Sequence, residues 1–117
     1  MPIESPTPNP KIARIWRGRV KRDRADEYAK YLYEVGIRPL EEKALGVEQL
    51  REDRETDTEF VTISYWESID SMRAFAGDDP TAIRHLDRDP EFLLELPTEV
   101  QILRLRTSHG VSGYPVR

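Results

Sequence analysis

The sequence predicts an α+β fold: a four-stranded antiparallel sheet with helices over one face, its elements in the order β-α-β-β-α-β. Three observations lead there. Stretches rich in β-branched and aromatic residues stand at 11–21, 59–66 and 98–106, with a more polar one at about 47–55. Segments of helical spacing fall between the first and second of these and between the third and fourth. The first, third and fourth strands carry apolar residues pointing both ways. A sheet with one wet face should instead alternate apolar with polar residues. The face without helices therefore needs cover, and the chain has no residues left to supply it; a second copy would.

Residues 1–10, MPIESPTPNP, contain four prolines and almost nothing apolar, and read as a disordered arm. In the first strand, 11–21, Ile12, Trp16 and Val20 share one face, Ala13 and Ile15 the other. Gly18 inside it suggests a bulge or a close approach by another chain. From Asp23 to about Ala44 the spacing is helical, with Ala25, Tyr28, Leu32 and Val35 in one stripe. Gly36 and Pro39 predict a kink near Ile37 and Arg38. Gly46 opens a charged strand suited to a sheet edge, and Thr56-Asp57-Thr58 closes a hairpin into the third strand.

The stretch FVTISYWESIDSMRAFAG, 60–77, joins that strand to a helix. Ser68 or Asp70 can cap the helix start, because a side-chain oxygen accepts from an otherwise orphaned N–H. Ile69, Met72, Phe75 and Ala76 recur at helical spacing, and Gly77 allows the stop. Asp79-Pro80 predicts a restarted helix carrying Ala82, Ile83, His85 and Leu86. Asp89-Pro90 ends it, and Phe92-Leu93-Leu94 folds back on the domain. The fourth strand has Val100 and Ile102 on one face, Leu103 and Leu105 on the other. Residues 107–117 read as a loose tail, so the organisation is one domain over 11–106.

With 22 acids against 18 bases, intermixed, the net charge of −4 offers no broad basic field for a phosphate backbone. An RNA-recognition domain shares this strand order. It would, however, carry a glycine-containing basic signature in the third strand, which here has no glycine and is flanked by Glu59 and Glu67. The absence of cysteine excludes thiol nucleophiles, disulfides and zinc ribbons. No apolar run reaches the length of a membrane span, and no signal-peptide layout opens the chain, so a cytoplasmic location is the expectation. A metal site is not expected either: His109 falls in the tail, far from His85.

His85 is the candidate for proton chemistry, since histidine alone titrates near neutrality unperturbed; a surface or capping histidine is the alternative. Trp66, Trp16, Phe75 and Met72 read either as core or as the lining of an apolar cavity between sheet and helices. Arg14 reads either as one half of an ion pair or as the group that holds a phenolate.

A strand ending Y-W-E-S followed by a short helix ending F-A-G-D-D resembles the antibiotic biosynthesis monooxygenases. The I-A-R-I-W-R-G-R-V and D-E-Y…Y-L segments fit the same pattern. The resemblance implies a ferredoxin-like domain paired into a dimeric α+β barrel, a homodimer acting on a small aromatic or quinol. In the haem-degrading branch a histidine nineteen residues after the strand-ending tryptophan ligates iron, and His85 stands at that spacing from Trp66. That branch also uses a first-strand asparagine and a second-helix tryptophan. Here the only asparagine is Asn9, and the helix position is Phe75. In the polyketide-tailoring branch, which uses neither metal nor flavin, the asparagine, tyrosine and arginine around the tryptophan fall on Thr62, Met72 and Leu86, with Arg84 and His85 adjacent. The expectation is therefore an oxygenase without a cofactor whose site draws on His85, Trp66, Phe75, Met72, Trp16, Arg14 and Thr62. The alternative is a non-catalytic barrel binding an apolar ligand such as haem.

Overall fold

The computed structural model describes residues 10–109. The proline-rich segment up to Asn9 and the tail from Gly110, including Gly113, lie outside the described residues. The sheet is antiparallel, with strands β1 (Ile12–Lys21), β2 (Gly46–Asp53), β3 (Asp57–Trp66) and β4 (Gln101–Arg104) in the spatial order β2-β3-β1-β4. This is the ferredoxin-like arrangement, with the polar β2 at an edge. The third strand starts two residues earlier than the sequence suggests, because Asp57 and Thr58 pair with Lys21 and Val20. The fourth is shorter than predicted.

Register sorts the two faces. Trp16 lies opposite Thr62, Gly18 opposite Phe60 and Val20 opposite Thr58. These residues face the helices, where Val20, Phe60, Thr58 and Trp66 are buried. On the reverse face Ile15 lies opposite Ile63, Arg17 opposite Val61, and Ala13 between Tyr65 and Leu103. Ile15, Val61, Ile63 and Tyr65 are only half-buried and Leu103 is exposed, so the second apolar face predicted from the strands is present.

The first helical segment opens with a 3₁₀ turn (Arg22–Arg24) and runs through α1 (Ala25–Tyr31), a π turn (Leu32–Ile37) and α2 (Arg38–Glu41). The π turn is marked by the Arg38 N–H reaching back five residues to the Tyr33 carbonyl. Pro39 explains its position: proline has no N–H for the Val35 carbonyl, and its ring crowds that carbonyl in a regular helix. The extra residue shifts the buried stripe. Ala25, Tyr28 and Leu32 point inward as predicted, but Ile37 and Leu40 follow them, and Val35 is exposed.

Helix α3 (Ile69–Ala76) matches its sequence signals. Ser68 caps it, accepting from Ser71 N–H, while the Ser71 hydroxyl accepts from Ser68 N–H; Gly77 ends it at φ 92°. The predicted helix after Asp79-Pro80 does not form. The Thr81 carbonyl accepts from Val100 N–H at 2.9 Å, and Ala82 bridges to Glu99. The segment is thus held as an extended strap against the start of β4. The helix appears ten residues later, as α4 (Asp89–Phe92), with Pro90 in its first turn. Asp89-Pro90 therefore starts a helix where the sequence suggested an end.

Two apolar clusters fill the space under the helices. One gathers Val20, Tyr28, Leu32, Phe60, Phe92 and Leu93; the other Leu40, Trp66 and Met72. No helix among the described residues is long and apolar enough to cross a membrane.

Candidate functional site

A cavity of about 220 Å³ lies between the sheet, the π turn and the 80–89 strap. The sheet contributes Trp16, Arg14 and Thr62. The π turn and α2 contribute Leu32, Ile37 and Leu40, and α3 contributes Phe75. Ile83, Arg84, Leu86 and Asp89 close it from the strap side. Ligand pockets for drug-sized molecules usually run to about 300–1,000 Å³, so this one suits something smaller, of one or two rings.

Arg14 is the polar centre of that lining. Its side chain rises from β1 and donates Nε–H to the Pro80 carbonyl at 3.1 Å and Nη2–H to the Ala82 carbonyl at 2.9 Å. The same residue thereby pins the strap and points a guanidinium at the cavity. Its carbon lies 5.9 Å from the Phe75 ring centroid, near enough for the cation to meet the ring's negative face. Burial first, and then the neighbouring Arg84 charge, hold its pKa below the ordinary arginine value. No acid among the described residues forms an ion pair with Arg14 or Arg84.

Asp89 is the acid on the wall, beside the two arginines. It is 3% exposed. One oxygen accepts from the Tyr28 hydroxyl at 2.9 Å and the other from Leu86 N–H at 2.9 Å. Desolvation, then the adjacent carboxylate, push the Tyr28 pKa far up, so Tyr28 stays a donor and Asp89 its acceptor. Thr62 is buried, and its hydroxyl accepts from the Gln49 amide at 2.7 Å.

Of the residues singled out from the sequence, Arg14, Trp16, Thr62 and Phe75 meet at this cavity. Trp66 and Met72 do not line it. Both are buried one layer behind, Trp66 stacked on Phe75 and donating its indole N–H to the Ser64 hydroxyl at 2.9 Å. His85 lies in the strap rather than on a helix, is exposed, and is not part of the lining. The residues present do not fit a haem: the histidine at the spacing that suggested it faces away from the enclosed space.

Asp89 is a functional candidate that the sequence did not identify, and Arg84 was marked only as a neighbour of the position where the resemblance expects an arginine. Asp89 carried a signal, the Asp-Pro pair, but that pair marks a helix boundary wherever it occurs. Only the fold brings it over Tyr28, 61 residues away.

No family model matches the chain, and no curated protein matches it. Among solved structures, it is similar to one described as a "Putative Antibiotic Biosynthesis Monooxygenase from Bacillus cereus". The two are 14% identical with a TM-score of 0.61, and the match covers 88% of this chain and 100% of the other. At that identity the likeness concerns the backbone, and the chain has the α+β, ferredoxin-like fold of that protein.

Proposed function

We propose that the chain is a monooxygenase that works without a cofactor on a small phenol or quinol bound in the cavity. The observation that carries this reading is an apolar enclosure holding one half-buried guanidinium without an acidic partner, Arg14. A deprotonated quinol reduces oxygen by itself; the protein has to exclude water, hold the anion's charge and accept its proton. Arg14 holds the charge. Asp89, whose carboxylate has lone pairs beyond the two bonds it accepts, takes the proton in the place first assigned to His85. Trp16, Phe75, Leu32 and Ile37 enclose the ring, and Thr62 offers a hydroxyl to a second oxygen. The name of the similar Bacillus cereus structure supports the same class of activity.

The apolar reverse face of the sheet belongs to this reading as the surface on which a second copy packs, giving the homodimeric barrel.

Oxygen uptake tests the activity. Purified protein with dithranol and related quinols should consume oxygen well above a blank. Asp89→Asn should lower the rate about a hundredfold or more, the usual share of a general base, and His85→Ala should leave it unchanged. Uptake indistinguishable from the blank with every quinol tried overturns the proposal.

A further inference from the structure

The cavity carries more positive charge than a phenolic ligand calls for. Arg14 and Arg84 both contribute to its wall, and the charge of Arg84 disfavours that of Arg14. Acids are plentiful in the chain, 22 of them, yet none among the described residues pairs with either arginine, while Arg19, Arg51 and Arg54 are each ion-paired. Asp89, the one acid on the same wall, is bound to Tyr28 and to Leu86 N–H instead. A half-buried cation next to a second cation is costly unless an anion joins them. The carbonyls of Pro80 and Ala82 engage Nε and Nη2 of Arg14 but leave Nη1 without an acceptor among the described residues. With the second hydrogen of Nη2, Nη1 forms the open end of the guanidinium, and such an edge takes a planar oxyanion through two parallel bonds.

We propose that the ligand is a small aromatic carboxylate, with its ring in the apolar enclosure and its carboxylate on Arg14 and Arg84. This rests on reading the cavity as the substrate site. A carboxylate fits better than a phenolate as the group that meets the arginines, because it arrives ionised at neutral pH, whereas a phenol must first lose its proton. Arg84, on the exposed strap, then selects the anion at the mouth, and Arg14 fixes its plane. The ring's hydroxyl remains for the reaction.

Calorimetric titration of the full chain with 2-hydroxybenzoate and with its uncharged amide, 2-hydroxybenzamide, at pH 7 and low salt tests this. The benzoate should bind tighter by about tenfold or more, as bonds to a charged group allow. Arg84→Gln should erase that margin and leave the amide as it was. Arg14→Lys, which keeps the charge and loses the fork, should weaken the benzoate alone. Equal affinity for the two probes, or an Arg84→Gln variant with wild-type preference for the benzoate, overturns the proposal. Because Arg84 is exposed, its variant remains informative even if changes at Arg14 unfold the strap. Oxygen uptake separates this idea from the one beneath it. A benzoate preference in a chain that oxidises no quinol keeps the anion site and removes the oxygenase. Quinol turnover alongside equal binding of the two probes does the reverse.

Discussion

Trp66 and Phe75 stack with ring centroids 5.6 Å apart and planes 29° from parallel, and only Phe75 reaches the cavity. The pair is a wall two rings thick, with Phe75 as the surface and Trp66 as the backing. Trp66→Ala should therefore act on folding, lowering stability by about 3–5 kcal/mol in denaturant titrations. Phe75→Leu should cost far less stability and weaken ligand binding instead. A Trp66→Ala chain with the wild-type midpoint would show that the backing carries no weight.

Gly18 is a close approach within the chain rather than between chains. A Cβ there would sit 2.5 Å from the Trp16 ring and 3.1 Å from Leu93. Gly18→Ala should push the Trp16 indole toward the cavity, at a cost of about 1–3 kcal/mol, typical of an overfilled site. Tryptophan fluorescence in a Trp66→Phe background reads Trp16 alone and should shift with the substitution. An unchanged spectrum together with an unchanged melting curve would refute the contact.

Tyr28 couples stability to alkaline pH. Its pKa is raised in the fold, first by desolvation and then by Asp89, above the value of about 10 that it has in an unfolded chain. Its contribution is thus complete below about pH 10. It is lost as pH rises beyond that, because the unfolded chain releases the proton first. Tyr28→Phe should flatten this alkaline decline. At pH 7 the variant should also lose about 1–3 kcal/mol, through an Asp89 oxygen left without its donor. Parallel alkaline slopes for wild type and variant would contradict the assignment.

The reverse face of the sheet predicts association. Ile15, Val61, Ile63, Tyr65 and Leu103 line it without reaching full burial. Sedimentation at micromolar concentration should give a species of twice the 13.6 kDa chain mass. Ile63→Lys, placing a charge mid-face, should return it to monomer without unfolding the sheet. A stable interface usually removes about 1,200–2,000 Å² from water. A wild-type chain that sediments as a monomer would rule this face out.

The strand order, the edge position of β2 and the Ser68-capped helix were legible because each rests on short-range signals: alternation, charge, a serine before an apolar run. So was the second apolar face. What the sequence hid depends on distant partners. Asp79-Pro80 is a helix-start signal, yet the carbonyls of Pro80 and Ala82 are taken by Arg14 and that of Thr81 by Val100 N–H, each more than a dozen residues away along the chain. His85 was placed on a helix for the same reason, and loses its inward direction with it. Of the candidate site, Arg14, Trp16, Thr62 and Phe75 were foreseen. Asp89 was not, and Arg84 entered only as a neighbour of Leu86, because nothing local distinguishes either from the many other charges of this chain.

The π turn at Leu32–Ile37 makes the cavity wall tolerant of a change in chain length. It stores one residue more than a regular helix would need between Leu32 and Leu40, so that Ile37 and Leu40 follow Leu32 on the inward side. Removing one of the positions 33–36 would leave Leu32 and Ile37 four apart, the spacing of one face of a regular helix. The turn would then close as α-helix with the same wall inward. The same deletion inside α1, where no residue is held in store, would instead turn everything after it by about 100°. A one-residue deletion is thus mild in the π turn and drastic a turn earlier, and the two would offer different enclosures to the same Arg14.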